Sequence, residues 1–470
     1  MIILIPLEIG VREIYSKTFL AFHLAKKYKA KIYLFNSRSI FKKIKKLENC
    51  IIFDKSLSYT KIGFHENLMK KNFLYSLDEE GPVYNWDKFT FLGRNPDKLY
   101  KNLSGNFLIS EYEKKYFKKK QQKKLFIVGH PKYDLLKKPY INLYSNFDKN
   151  IKKNFGNYIY FSSSYGFDTI GGYEKFLLFS KKIYLTDKKN IKLYDKFLYF
   201  QKNDFKNYIL FMNTIKKVAY AFPKKKIIFR PHPSQDIDQV KKRLKDIPKN
   251  LHVIYEKDAV TWIKNCEYYI HSHCTTSIDA ALLNKKILRL VLTSETEHKN
   301  NPIYNNLGYN FQNSKSLISF LAKSINYKKV YKLDRNNISQ KYLTNNLKQL
   351  SSDKIGNIFF NKIKNKKSIL EFDIKKFDIS KKSRNTEFVN FLKRILKKII
   401  SNFYIYQFIN FFWELPANIL LSKEYKEKKM NNTNLSEIPK IINKLNNLHF
   451  KQKKKNVKFK KLNEEIYQIS

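Results

Sequence analysis

Short apolar runs alternate with amphipathic stretches along most of the chain. Ile2-Ile3-Leu4-Ile5 stops at Pro6, too short for a helix and bounded by a breaker, which predicts a buried first strand. Residues 13–28 then place Leu20, Ala21, Leu24 and Ala25 on one face at helical spacing, which predicts a helix. Further strands are expected at 31–35, 50–53, 73–77, 89–93, 107–109 and 125–129. Residues 131–150 lose this periodicity and read as a linker. A second alternation follows, with strands at 158–161, 227–230, 251–255, 268–271 and 287–291 and a helix at 204–221. Strands alternating with helices predict an α/β protein with parallel sheets. The expected organisation is two Rossmann-like domains, 1–140 and 141–350, facing a crevice. A basic, mainly helical extension runs from 351 to 470.

Composition changes the picture in one respect, the partners. The formal net charge of +53 invites a nucleic-acid reading, but only nine of the 93 basic residues are Arg and the lysines are spread through every segment. Sequence-specific base readout leans on Arg, so no specific nucleic acid is expected. The charge acts as a field for anionic partners: nucleotide-sugars, acidic glycans and anionic lipid. Residues 388–421 mix Phe391, Ile395, Phe403, Phe411 and Trp413 with Lys393, Arg394, Lys397 and Lys398. That mixture suits peripheral contact with an anionic membrane and equally suits packing on the body or on another subunit. Three cysteines without paired spacing and no apolar run of membrane-spanning length point to a cytoplasmic location, at the inner face of the plasma membrane.

Four polar clusters follow strands, where ligands bind in parallel α/β sheets. Arg230-Pro231-His232-Pro233 ends one apolar run, and its prolines hold Arg230 and His232 on stiff, extended backbone. Arg grips phosphate with paired hydrogen bonds, and His donates to a phosphate or leaving group. Asp78-Glu79-Glu80-Gly81 sets three acids together, so that one carboxyl with a raised pKa is expected to serve as a base. Ser272, Thr275, Thr276 and Ser277 lie at a helix start and suit an anion, as do Ser162 and Ser163 after another strand. His271 and His273 lack a third ligand nearby, so no metal is expected, and one of them reads as a core residue. Glu8, Arg12 and Glu13 line the crevice from the first half. The first strand–helix turn carries no G-x-G-x-x-G, which argues against a dinucleotide.

In order, Glu79-Glu80-Gly81, His232-Pro233 and Thr276-Ser277 resemble the three short motifs of bacterial sialyltransferases and polysialyltransferases. The wider set is similar to the surface carbohydrate biosynthesis proteins, adding Glu8 with Arg12-Glu13, Gly129-His130-Pro131-Lys132-Tyr133-Asp134 and Arg230 to Pro233. Capsular Kdo transferases and CDP-glycerol glycerophosphotransferases share parts of the second half. The resemblance covers residues 1 to about 310 and implies a GT-B-like fold. It also implies metal-independent transfer of a sugar, an acidic keto-sugar, from a CMP-sugar, with no separate cofactor, to a glycan or lipid-linked glycan acceptor; the alternatives are a CDP-glycerol glycerophosphotransferase and a non-catalytic polyanion- or membrane-binding protein. By that carry-over Glu79 is the general base with Glu80 supporting it. His232 serves the departing phosphate, and Arg230, Pro233, Thr276 and Ser277 surround it.

Overall fold

The computed structural model describes residues 1–79 (except 37 and 59–60), 91, 94–168, 177, 191–256, 258–293, 307–323, 343, 349–373, 435–450, 456–463 and 466–470. Glu80, Gly81 and the basic aromatic patch 388–421 lie outside them, as does the strand expected at 89–93 apart from Phe91.

The first sheet is built on six parallel strands: β1 (Ile2–Pro6), β2 (Lys31–Phe35), β4 (Ile51–Asp54), β5 (Phe73–Leu77), β6 (Gly105–Leu108) and β7 (Leu125–Ile127). Their spatial order is β2-β1-β4-β5-β6-β7. β3 (Ile44–Glu48), which short-range patterning does not reveal, pairs instead with β14 (Ile369–Phe372) in an antiparallel ribbon. The second sheet holds β8 (Ile159–Ser162), β9 (Ile227–Arg230), β10 (Leu251–Val253), β11 (Tyr268–His271), β12 (Lys286–Leu290) and β13 (Tyr309–Phe311). It is parallel throughout, in the order β10-β9-β8-β11-β12-β13. Strand direction of travel therefore reverses beside β8, and in the first sheet beside β1. These switch points are where crevices open in Rossmann-like sheets, and the two units meet where Lys132, after β7, comes within 3.9 Å of Asp279, after β11. Near-continuous burial of β1, β4, β8, β9 and β11 explains their unbroken apolar runs, since helices cover both faces.

The chain beyond 351 does not stand apart from this body. β15 (Phe459–Asn463) and β16 (Ile466–Ile469) extend the first sheet antiparallel past β2, with Ile466 opposite Phe35 and Ile469 opposite Ile32. The helices Ser351–Ile363 and Glu437–His449 both pack on the helix Gly10–Tyr28. They bury Ile355 and Phe359, and Ile438, Ile442 and Leu445, respectively. Gly356 is required there, because a Cβ would sit 2.2 Å from the Tyr28 ring. Among its described residues, the expected extension is thus a completing layer of the first unit, and it contains strands as well as helices. The expected linker 131–150 is likewise structural. Tyr133, Leu135, Tyr140, Leu143 and Tyr144 are buried, Tyr144 stacks on Tyr15 at 4.7 Å, and Asp148 binds Lys264 at 2.6 Å. Its polar composition reflects short helical turns wedged between the two sheets.

If β16 completes the first sheet, Ile469→Ala should cost about 2–5 kcal/mol, read as a lower urea midpoint. Exposed Lys460→Ala should stay within about 0.5 kcal/mol. Equal midpoints for the two variants would refute the strand addition.

Candidate active site

On the first sheet's side, β1 ends at Pro6 and the chain turns directly into the helix Gly10–Tyr28. Glu13 folds back on that turn and accepts the amides of Glu8 at 2.9 Å and Ile9 at 3.3 Å. Lys17, one turn on, donates to Glu13 at 2.7 Å and to the Pro6 carbonyl at 2.7 Å. Glu13, expected to face an acceptor, is instead fully buried and holds the turn. Glu8 remains at the crevice edge, bonded to Arg38 at 2.9 Å and to Lys55 at 3.1 Å. Arg38 also clamps Asp54, which meets His65 at 2.9 Å and accepts the Lys55 amide at 2.7 Å.

Glu79 follows β5 and is buried. Its carboxylate accepts from His130 Nε2 at 3.1 Å and lies 3.7 Å from Lys17 Nζ, while its carbonyl accepts from Arg12 at 2.8 Å. Burial would raise its pKa, but His130, Lys17 and Arg12 outweigh that and hold it well below the usual carboxylate range. This is opposite in direction to the raised value expected for a base in that acidic run. Neighbouring Asp78 is consumed by Arg94. Burial does raise the pKa of two other carboxyls of this half: Glu113, just past β6, with the Ile109 amide 3.2 Å away, and Asp134, to about 6.

The segment Gly129–Asp134 explains itself residue by residue. Gly129 has φ +81°, and a Cβ there would lie 2.5 Å from Ser351 Oγ. His130 accepts the Lys132 amide at Nδ1, 3.1 Å away, so the neutral ring carries its proton on Nε2 and donates it to Glu79. Lys132 reaches to 3.9 Å from Asp279 of the second half. Tyr133 buries a hydroxyl that has no hydrogen-bond partner among the described residues. The charges acting on it come from Asp279, Glu113, Arg12 and Glu79. Asp134 accepts the amides of Ser351 at 2.7 Å and Ser352 at 3.4 Å, capping a helix more than two hundred residues away.

On the second sheet's side, β9 delivers Arg230 and then the two prolines, as expected. Arg230 donates to the Glu256 carbonyl at 2.8 Å and sits 5.4 Å from the Tyr255 ring centroid. His232, half-buried, has Nδ1 3.3 Å from the Ser234 amide and 2.7 Å from Ser234 Oγ. Accepting that amide leaves the neutral ring's proton on Nε2. The Pro233 carbonyl accepts from Tyr255 at 3.4 Å.

The expected anion-binding hydroxyls are mostly engaged within the protein. Ser162 meets Cys274 at 3.2 Å and Thr276 at 3.1 Å, and Thr276 meets Tyr269 at 2.7 Å. Ser163 accepts the Tyr165 amide at 3.2 Å, Ser272 donates to the Leu290 carbonyl at 3.1 Å, and Ser277 donates to the Cys274 carbonyl at 2.7 Å. Thr275, partly exposed at the start of the helix Thr276–Leu282, makes no side-chain cap bond. His271 is a core histidine that bonds the Leu307 carbonyl at 3.0 Å, and burial lowers its pKa to about 3.

Two acids of the second half that short-range patterning passes over face the first half. Asp258 caps the helix Ala259–Asn265 through the Val260 amide at 2.7 Å. Burial, against that bond and the Arg230 charge, raises its pKa to about 7. Asp279 is buried and also raised by burial, with Lys132, His130 and Arg12 of the first half opposing. Asp258 looks in sequence like any helix cap before an apolar run. Asp279 sits three residues past Thr276, and that spacing on a helix start is the one signal that could have exposed it.

No protein-family model and no curated protein matches the chain. Solved structures that it resembles include Staphylococcus aureus MnaA with UDP, at 12% identity and TM-score 0.46, covering 78% of this chain and 99% of that one. Another is the Methanocaldococcus jannaschii UDP-GlcNAc 2-epimerase with UDP-GlcNAc and UDP, at 14% identity and TM-score 0.45, covering 77% and 100%. A third is the wall teichoic acid polymerase TagF soaked with CDPG, at 11% identity and TM-score 0.49, covering 77% and 88%. The likeness is loose, and the fold rests on the strand order and register given above.

Asp258 generates a pH test. Its folded pKa lies above the ordinary carboxyl value, so the fold favours the neutral acid. The resulting penalty is absent below about pH 4 and grows as pH rises toward about 7. Asn caps a helix as well as Asp does. Asp258→Asn should therefore raise the thermal midpoint above neutrality and change it little in acid. A midpoint difference independent of pH would sink the assignment.

Proposed function

We propose that the chain is a GT-B-type glycosyltransferase of surface polysaccharide synthesis. It moves a sugar from a nucleotide-activated donor to a glycan acceptor held on the first sheet's side. The donor fitting the motif resemblance is a CMP-linked acidic keto-sugar. One observation carries the reading: Arg12, His130 and Lys132 of the first half act electrostatically on Asp279 of the second, and Lys132 acts with Arg230 on Asp258. Cations from both halves suit an anionic donor, and Asp258, whose pKa is raised to about 7, suits proton transfer. The Tyr133 hydroxyl, which has no hydrogen-bond partner among the described residues, supports it, since a buried hydroxyl left unpaired costs about 1–3 kcal/mol and a substrate group would satisfy it.

In this reading the base role passes from Glu79 to Asp258. Glu79 is ionised, but its carboxylate is bound to His130 and it is a weak base. Asp258, with a pKa near 7, is partly ionised at neutral pH and accepts a proton readily. The acceptor oxygen bonds to the anomeric carbon as the bond from that carbon to the phosphate oxygen breaks. The acceptor proton passes to Asp258, and the nucleotide leaves with the bonding electron pair. His232 donates Nε2–H to the departing phosphate, and Arg230 and Thr275 add charge and a hydroxyl beside it. Glu79 and His130 hold Arg12 and Lys132 in place. Transfer from CDP-glycerol would use the same phosphate grip, with a P–O bond breaking instead, and donor choice separates the two. Peripheral attachment at the cytoplasmic membrane face belongs to this proposal. Among the described residues no helix is long and apolar enough to cross a membrane.

CMP or CDP should raise the thermal midpoint more than UDP or GDP, and no shift with any nucleotide would overturn the reading. Asp258→Asn should lower turnover by about 10²–10⁴-fold while donor binding persists. In the wild type, kcat/KM should rise with pH through about 7, as a base titrating there requires. A profile flat across that range would remove Asp258 as the base.

A further inference from the structure

Behind His232 runs a directional line of hydrogen bonds drawn from four separate elements. The His232 amide donates to Gln235 Oε1 at 2.8 Å, and the Gln235 amide returns a bond to the His232 carbonyl at 2.8 Å. Gln235 Nε2 donates to the Tyr208 hydroxyl at 3.0 Å, and that hydroxyl donates to Asp168 at 2.7 Å. Arg243 closes the line with two bonds of 2.5 Å to the Asp168 carboxylate. Asp168 belongs to the loop after β8, Tyr208 to the helix Ile191–Ala221, Gln235 to the turn after β9, and Arg243 to the helix Ile237–Leu244.

Chemistry gives this line one polarity. Arg243 only donates and an ionised Asp168 only accepts, so the Tyr208 proton must point at Asp168. The hydroxyl oxygen then receives the Gln235 NH₂ group, and that choice leaves Oε1 facing the His232 amide. Without the hydroxyl, the Gln235 side chain loses the partner that decides which way round it sits. Asp168, Tyr208 and Gln235 are all at least nine-tenths buried, so water does not substitute freely. Asp168 also holds φ +55°, unusual for a side-chain-bearing residue, and its carbonyl accepts the Asp236 amide at 2.8 Å. The same loop backs onto Ser234, whose Oγ would lie 3.6 Å from a Cβ at Gly166. Ser234 in turn sets the tautomer of the His232 ring.

We propose that Gln235, Tyr208 and Asp168, locked by Arg243, are positioning residues for His232. They hold the 232–235 turn so that the ring stays in the Nε2–H tautomer, aimed as a donor. This rests on the reading of His232 as the residue that meets the donor phosphate, but its first test does not need turnover. Imidazole nitrogen shifts of ¹⁵N-histidine-labelled protein, assigned through His232→Gln, should show a single Nε2–H tautomer in the wild type. Tyr208→Phe, which removes only the hydroxyl, should give a mixture of tautomers, as should Asp168→Asn. With an active donor, both variants should lose about tenfold or more in kcat with donor KM within about twofold, the pattern of misplacement rather than lost affinity. Arg243→Lys should retain most of the effect that Arg243→Ala abolishes. A single unchanged tautomer in Tyr208→Phe and Asp168→Asn overturns the proposal whether or not a donor is found. So does a kcat loss that only follows the folded fraction. If no donor is turned over while the tautomer shifts as expected, the relay stands and the transfer reading fails.

Discussion

The contact on which the crevice depends is the buried pair of Glu79 and His130, 3.1 Å apart. A carboxylate this deep needs compensation, and it receives it from His130, Lys17 and Arg12 together. Removing one member of such a buried set costs about 3–5 kcal/mol, because the remaining charge is stranded. Through His130 the pair fixes the segment after β7. From there Lys132 points at Asp279, Tyr133 at the crevice, and Asp134 at the amides that open the helix Ser351–Ile363. One buried hydrogen bond thereby couples three things: the floor of the first sheet, the contact between the halves, and the docking of the C-terminal layer.

The two walls of the crevice set most of their carboxylates in different surroundings, although burial also raises Glu113 and Asp134 on the first wall. On the first wall, Glu8, Glu13, Asp54 and Glu79 each lie against one or more cations. On the second wall, burial dominates at Asp258 and Asp279, and the opposing cations are too distant or too few to cancel it. The difference is one of geometry, since direct hydrogen-bonded ion pairs compensate desolvation and cations reached only across the crevice do so partly. An anionic substrate entering between the walls would alter that balance most at the second wall. Proton transfer is therefore assigned to that side.

How much of this was legible in the chain depends on the range of the interaction. The buried strands β1, β2, β4, β5, β8, β9, β11 and β12 announce themselves, because a strand covered on both faces must be apolar throughout. The stiff exit Arg230 to Pro233 is equally local, since proline restricts its own and its neighbour's backbone whatever surrounds it. β3, β14, β15 and β16 were not legible. β3, β14 and β15 are half-exposed or edge-placed, and β14 and β16 find their partners β3 and β2 only after the chain has returned from hundreds of residues away. The polar turns at 131–150 read as a linker for the same reason: their burial is supplied by both halves at once.

The sequence by itself determined the fold class, the crevice between two α/β units and the strand ends that line it, because those follow from periodicity and backbone stiffness. Tertiary structure alone decided which polar groups face that crevice in a usable state. Thr276, Ser277 and Ser162 have the composition of an anion site but spend their hydroxyls on neighbours that only the folded chain provides. Glu79 has the composition of a base and is neutralised as one by a histidine fifty-one residues on. Asp258 and Asp279 look like ordinary helix-start acids until desolvation in the folded chain raises them. Protonation state depends on desolvation and on charges brought in from afar, and neither is written in the local sequence.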